Sequence, residues 1–162
     1  MIVVALGGNI PSTAGEPDVT IHAALSVLYD YGVTVIAVSR FYRTPAWPDA
    51  SEPPFVNAAA IVDTDLPPDA LLNVLHTIEA RFGRVRSRPN APRTLDLDLV
   101  DYHGKIMHGA LTLPHPRVAE RAFVLVPLSD VAPDWCHPVS GIGVRDLVAH
   151  LPPSDLNDVV PL

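Results

Sequence analysis

Along this 162-residue chain the apolar positions switch between unbroken runs and helical spacing. The run Ile2, Val3, Val4, Ala5 and Leu6 reads as a short buried strand over 2–6, closed by the turn signal Gly7-Gly8-Asn9-Ile10-Pro11. Between 19 and 31, Ile21, Ala24, Leu25 and Leu28 recur at helical spacing, with Gly32 placed as a C-cap. Residues 33–42 are rich in β-branched and aromatic side chains and predict a strand, and 55–64 predict another, antiparallel to it. Pro67-Pro68 then opens a strongly periodic helix over 69–82, with Leu71, Leu72, Leu75 and Ile78 on one side and Gly83 at its end. A basic, proline-containing loop leads into a strand over 95–102.

The order β-α-β-β-α-β predicts an α+β fold of ferredoxin-like type, an antiparallel sheet with two helices packed on one face. Further along, 104–113 reads as a hairpin or irregular strand, 116–131 as helical turns and 144–150 as a short helix, which together make a C-terminal extension. No internal repeat interrupts the pattern and no linker is long enough to split it, so a single domain over 1–162 is expected.

The strand over 95–102 changes this picture, because its polar positions alternate with its leucines. In an extended chain Asp96 and Asp98 point to one face while Leu95, Leu97 and Leu99 point to the other. At a rise of about 3.3 Å per residue their Cβ atoms stand roughly 6 to 7 Å apart, which suits holding one divalent cation or bridging two. Arg93 precedes them with a fixed fork that suits a phosphate oxygen. A bare Asp-x-Asp is also compatible with the polar face of a half-buried edge strand, so the flanking residues must decide.

Composition sharpens the choice of ligand. Hydrophobic residues make up 48% and charged residues 18%, which fits a compact globule. The formal net charge of −7 argues against non-specific adhesion to nucleic acid or to an anionic membrane. In that acidic background Arg81, Arg84, Arg86, Arg88 and Arg93 form a basic island suited to a small anion. Cys136 is the single cysteine, which excludes an intrachain disulfide and a multi-cysteine metal site. The apolar run at 2–6 lacks a basic flank and is too short for a signal peptide or a membrane span, so a cytoplasmic protein is expected. Proline accounts for 18 of the 162 residues, and its clusters stiffen the loops at 45–54, 67–68, 89–92, 114–116 and 152–153.

Neither a phosphate-binding Gly-x-x-x-x-Gly-Lys-Ser/Thr loop nor a dinucleotide fingerprint occurs, so nucleotide phosphates would depend on arginine and metal. His115 and Arg121 form a second polar cluster in a region that is otherwise apolar. A third group comes from 41–47 and 55–57. Phe55 and Asn57 are two apart in a strand and share a face, an aromatic platform beside an amide that suits a flat heterocycle. The alternative that Phe55 is core and Asn57 merely closes the strand stays open at this point.

Taken together, the motifs Phe-Tyr-Arg-Thr-Pro, Val-Asn-Ala-Ala, Ile-Glu, Gly-Arg-Val-Arg, Pro-Arg-Thr-Leu-Asp-Leu-Asp and Pro-His…Arg-x-Phe closely resemble the 6-hydroxymethyl-7,8-dihydropterin pyrophosphokinases of folate biosynthesis, from Ile2 to about Ala132. The resemblance implies an enzyme that transfers pyrophosphate from ATP to the pterin hydroxymethyl group, releases AMP and uses two Mg2+ ions. It implies Asp96 and Asp98 as metal ligands, and Arg84 and Arg93 with them as the catalytic group. Thr44, Pro45, Ala46 and Trp47 would line the pterin pocket through the loop backbone, Asn57 would read the pterin edge, and Phe55 and Phe123 would sandwich the ring. His76, Glu79, Leu99 and Thr112 would lie near the nucleotide, with Arg84, Arg93, His115 and Arg121 on its phosphates and Arg86 and Arg88 on a catalytic loop. ATP and the hydroxymethyl pterin are then the expected partners of a monomer, without nucleic acid or membrane.

The chain departs from the family pattern at several positions. Arg88-Pro89-Asn90-Ala91 is one residue shorter than the usual segment and lacks its tryptophan. Pro116 stands where an aromatic residue is common, Phe55 where tyrosine is frequent, and Ala110 where arginine is sometimes found. A nucleotidyl-transfer or cyclase-like domain would also explain paired aspartates on such a sheet, but not the 44–47 loop or Phe55 with Asn57. An RNA-binding module is disfavoured by the net charge of −7.

Overall fold

The computed structural model of the chain describes residues 1–85 and 87–162. Its first strand, β1 (Ile2–Gly8), is buried along its whole length. It runs two residues beyond the sequence expectation, because Gly7 and Gly8 pair with Asn57 and Val56 instead of turning. Helix α1 (Pro17–Val27) starts on a proline at its first turn and gives way to a 3-10 turn (Leu28–Tyr31). Gly32 closes that turn at φ 75°, a left-handed conformation that glycine adopts without a Cβ clash.

The single strand expected over 33–42 is two strands, β2 (Thr34–Val38) and β3 (Tyr42–Thr44). Between them the Ser39 N–H still donates to Ala59 O at 2.9 Å, but the Ala59 N–H goes to the Ser39 hydroxyl at 2.9 Å, which in turn donates to Arg40 O at 2.7 Å. Both strands pair with β4 (Phe55–Asp63), which also pairs with β1. Helix α2 (Pro68–Arg81) and strand β5 (Asp96–Tyr102) follow. The strand begins at Asp96 and not at Leu95, whose carbonyl accepts a bond from Arg84 Nη1 at 3.3 Å.

Where a hairpin or irregular strand is expected over 104–113, Met107 and Leu113 exchange backbone bonds of 3.0 Å in one isolated antiparallel bridge. The helical turns expected over 116–131 are a 3-10 turn (Val118–Glu120) and helix α3 (Ala122–Val131). Helix α4 (Val144–Ala149) matches the expected terminal helix. The short helix α5 (Pro153–Asn157) and strand β6 (Val160–Pro161) carry no sequence expectation.

Among the described residues the strands form one antiparallel sheet in the order β5-β1-β4-β3-β6, with β2 also on β4. Helices cover both of its faces. Ile21, Ala24 and Leu28 with Leu71, Leu75 and Ile78 pack on Ile2, Val4, Leu6, Leu97 and Leu99. On the other face Leu125 and Leu128 of α3 and Val144 and Leu147 of α4 pack on Val3, Ala5, Ala59 and Val100. Burying each of Leu97 and Leu99 is worth about 2 kcal/mol. Their inward alternation turns Asp96 and Asp98 to the face that carries α3.

Candidate active site

On the α3 face, antiparallel register sets Asp96 opposite Gly7, Gly7 opposite Asn57 and Asn57 opposite Tyr42. In the next row Asp98 stands opposite Ala5 and Ala5 opposite Ala59. Directly opposed residues share a face, so these two rows make the floor of a site. Small residues keep that floor open. On this face a Cβ on Gly7 would lie 3.0 Å from Asn57 Oδ1, and on the other face of the strand one on Gly8 would lie 2.6 Å from the Thr94 carbonyl oxygen. Reading Gly7-Gly8 as a turn hides this role, which depends on neighbours distant in sequence.

The carboxylates are surrounded by arginine. Arg84 Nη1 donates to Asp96 Oδ1, and it reaches Glu79 Oε1 at 2.6 Å. Glu79 is 3% exposed and its Oε1 also accepts the Leu97 N–H at 2.8 Å, so α2 anchors both the arginine and the strand. Arg93 Nε lies 3.1 Å from Asp96 Oδ2 as an ion pair, without the alignment of a hydrogen bond. Arg121 Nη1 lies 3.7 Å from Asp98 Oδ2. Burial disfavours the Arg84 charge, but Asp96 and Glu79 outweigh it and hold its pKa above the ordinary value. Burial, then the Asp96 charge, push the Asp98 carboxyl above its usual range.

Two carboxylates at the strand spacing of roughly 6 to 7 Å repel by about 2 to 3 kcal/mol at an effective dielectric near 20. A hard divalent cation removes that repulsion, and all-oxygen donors fit magnesium. Among the described residues no group of three or more His, Cys, Asp or Glu is gathered to hold a metal. A divalent cation held by Asp96 and Asp98 would therefore need its remaining oxygens from a bound ligand or water.

A cavity of about 490 Å³ opens beside the carboxylates. Thr44, Pro45, Ala46 and Trp47 line one side, Phe55 and Asn57 the floor, Arg121 and Phe123 the start of α3, and Arg93, Asp96 and Asp98 the far side. Asn57 Nδ2 donates to Thr44 Oγ1 at 2.8 Å, which fixes its amide. The Arg93 guanidinium lies 4.9 Å from the Phe55 ring centroid and that of Arg121 lies 5.5 Å from Phe123. Each ring thus carries an arginine on its face, and each arginine also faces an aspartate. A second cavity of about 220 Å³, lined by Arg84, Arg88 and Arg93 among others, shares Arg93 with the first. Arg88 reaches Glu52 Oε1 at 3.4 Å.

Other expected residues stand apart from these two cavities. His76 is exposed on α2, Leu99 is buried in the core on the opposite face, and Thr112 is half-buried before Leu113. Glu79 acts on the site through Arg84. His115 accepts the Arg117 N–H at Nδ1, 3.1 Å away, and burial lowers its pKa against the pull of Asp98. Arg86 lies outside the described residues.

Several residues enter the site without a sequence expectation. Ala5, Leu6 and Gly7 form floor, and Arg117, Glu120, Asp155, Asp158 and Val159 form wall. Asn9, 3% exposed, donates from Nδ2 to Pro53 O at 3.0 Å and accepts the Arg93 N–H at 2.8 Å. It joins the loop before Phe55 to the segment before Asp96. Only its position after two glycines hinted at such a close approach.

Residues 3–133 match the sequence model of the family described as 7,8-dihydro-6-hydroxymethylpterin-pyrophosphokinase (HPPK). The chain is 46% identical over 129 residues to 2-amino-4-hydroxy-6-hydroxymethyldihydropteridine pyrophosphokinase of Methylorubrum extorquens, covering 79% of this chain and 80% of that protein. It is 40% identical over 153 residues to the protein of the same name from Pseudomonas aeruginosa, covering 93% and 91%. The Plasmodium falciparum HPPK-DHPS crystal structure with pteroate shares the fold at a TM-score of 0.73 and 14% identity. That likeness covers 91% of this chain and 43% of the Plasmodium chain. On these matches the chain belongs to the 7,8-dihydro-6-hydroxymethylpterin-pyrophosphokinase family.

Proposed function

We propose that the protein transfers the pyrophosphoryl group of ATP to 6-hydroxymethyl-7,8-dihydropterin, giving AMP and the pterin diphosphate, a step of folate biosynthesis. The observation that carries the reading is Arg93, which lies over the Phe55 ring and beside Asp96 and so links an aromatic platform to a carboxylate pair. The hydroxymethyl oxygen attacks the β-phosphorus, the bond from that phosphorus to the α,β-bridging oxygen breaks, and AMP departs with the electron pair. The hydroxyl proton passes to solvent. Such a transfer relies on positioning and charge neutralisation more than on covalent help.

Asp96 and Asp98 are read as the ligands of two magnesium ions, which when bound polarise phosphoryl oxygens and offset their charge. Arg84, Arg93, Arg88 and Arg121 neutralise phosphate oxygens, with His115 beside them. Phe55 and Phe123 hold the two faces of the pterin, while Asn57 and the 44–47 backbone meet its donor and acceptor edge. His76, Glu79, Leu99 and Thr112 belong to the nucleotide side, Glu79 through Arg84. The chain is further read as one domain, a ferredoxin-like unit with a C-terminal extension, acting as a monomer in the cytoplasm. No described helix is long and apolar enough to cross a membrane.

The test is AMP release from ATP by the purified protein. Release that requires both magnesium and the hydroxymethyl pterin is expected, and AMP or ADP formed equally well without the pterin would overturn the assignment.

A further inference from the structure

Strand β3 has only three residues, and it supplies Thr44 to the cavity wall. On one side it pairs with β4, setting Thr44 opposite Phe55 and Tyr42 opposite Asn57. On its other side lies β6, with Arg43 opposite Val160 and Tyr42 opposite Pro161, and the Leu162 N–H donates to Phe41 O at 2.9 Å. Without that second neighbour a three-residue strand would present an open edge ahead of the 45–54 loop.

The stretch before β6 is held independently. Helix α5 packs against α3, and Leu156 and Val159 lie against the core of that layer. Asp155, Asp158 and Val159 then continue the cavity wall beyond Thr44. The segment is therefore tied at one end to the helix layer and at the other to β3. It lies outside residues 3–133, the part matched by the family model.

We infer that residues 158–162 are a positioning strap: their main-chain pairing with β3 holds Thr44, and the 45–47 loop that follows it, at the distance from Phe55 and Asn57 that the pterin requires. The inference rests on the proposed function for its ligand, and on the strand pairing for its mechanism. The side chains of Val160 and Leu162 are 53% and 58% exposed, so the hold is through the backbone and not through buried side chains. A loosened strap shifts the ring half-site while Asp96 and Asp98 on β5, and Arg84, Arg93 and Arg121 beside them, keep their places.

The test compares the full chain with a variant lacking residues 160–162 and with Leu162→Pro, which removes only the donor to Phe41 O. A double variant, Val160→Thr with Leu162→Gln, keeps the backbone pairing. Deletion is expected to raise the pterin KM by about tenfold with kcat and the ATP KM within about twofold, Leu162→Pro to shift it in the same direction, and the double variant to match the parent. Hydrogen exchange of the β3 amides, measured without substrates, is expected to quicken in the deletion variant and not in the double variant. A deletion that lowers thermal stability or kcat but leaves the pterin KM unchanged would overturn the strap, as would unaltered β3 exchange. Failure of the parent to use pterin, with β3 exchange responding as expected, would instead remove the proposed ligand.

Discussion

Arg93 covers the Phe55 ring at 4.9 Å from its centroid and at the same time brings Nε to 3.1 Å from Asp96 Oδ2. A planar guanidinium can stack and pair at once, which an ammonium cannot. Arg93→Lys is therefore expected to behave almost as Arg93→Ala, each lowering kcat/KM by about 10²- to 10³-fold, the cost of removing one charge-stabilising donor. Steady-state kinetics with each substrate varied checks this. Full activity in Arg93→Lys would show that point charge alone is needed.

Asp98 provides a pH test. Its folded-state pKa is raised by burial and by Asp96, so folding favours its protonated form. Its contribution to stability is present at low pH and is lost as pH rises from its unfolded value through the raised folded one. Without magnesium, Asp98→Asn is expected to be as stable as the parent at acid pH and more stable at neutral pH. Urea midpoints at several pH values measure this, and a variant less stable at neutral pH would contradict it.

Glu79 should matter more for the fold than its neighbours do. It is 3% exposed and accepts bonds from Arg84 at 2.6 Å and from the Leu97 N–H at 2.8 Å. Its removal leaves the Leu97 N–H without its acceptor, while Arg84 keeps Asp96 and the Leu95 carbonyl, so the cost is that of one unsatisfied buried donor and a weakened ion pair, about 1 to 3 kcal/mol. Glu79→Ala is expected to lose that much by urea unfolding, with Glu79→Gln intermediate. A loss under 1 kcal/mol in Glu79→Ala would contradict the anchoring role.

Asn57→Ala removes the donor to Thr44 Oγ1, a bond of 2.8 Å between buried groups. The expected stability loss is about 1 to 3 kcal/mol, together with a raised pterin KM and an unchanged ATP KM. Equal rises in both KM values would place Asn57 outside the pterin half-site.

The aspartate pair was legible in the sequence because strand alternation is local: Leu95, Leu97 and Leu99 declare the core side, and Asp96 and Asp98 must then take the other. Of the expected α2 stripe, Leu71, Leu75 and Ile78 are buried in the core, while Leu72 is only half-buried and stands outside it. Gly7 was not legible, since its need for a missing Cβ comes from Asn57 across the sheet. The break at Ser39 was not either, because it depends on a hydroxyl meeting Ala59, 20 residues away in sequence. Strand β6 has two residues, too few for any period to be seen. Its pairing comes from tertiary contact alone. In the sequence the arginines form one undivided basic island, whereas in the fold Arg84 and Arg93 hold opposite oxygens of Asp96 and Arg88 turns to Glu52.

The most direct test measures pterin-dependent AMP release by Asp96→Ala and Asp98→Ala beside the parent, with unfolding midpoints recorded for all three. Both side chains are partly exposed, at 23% and 38%, so the fold is expected to survive either change. The account predicts AMP formation reduced to background in both folded variants at saturating magnesium. Parental turnover in either one would contradict the central claim that this carboxylate pair organises the transfer.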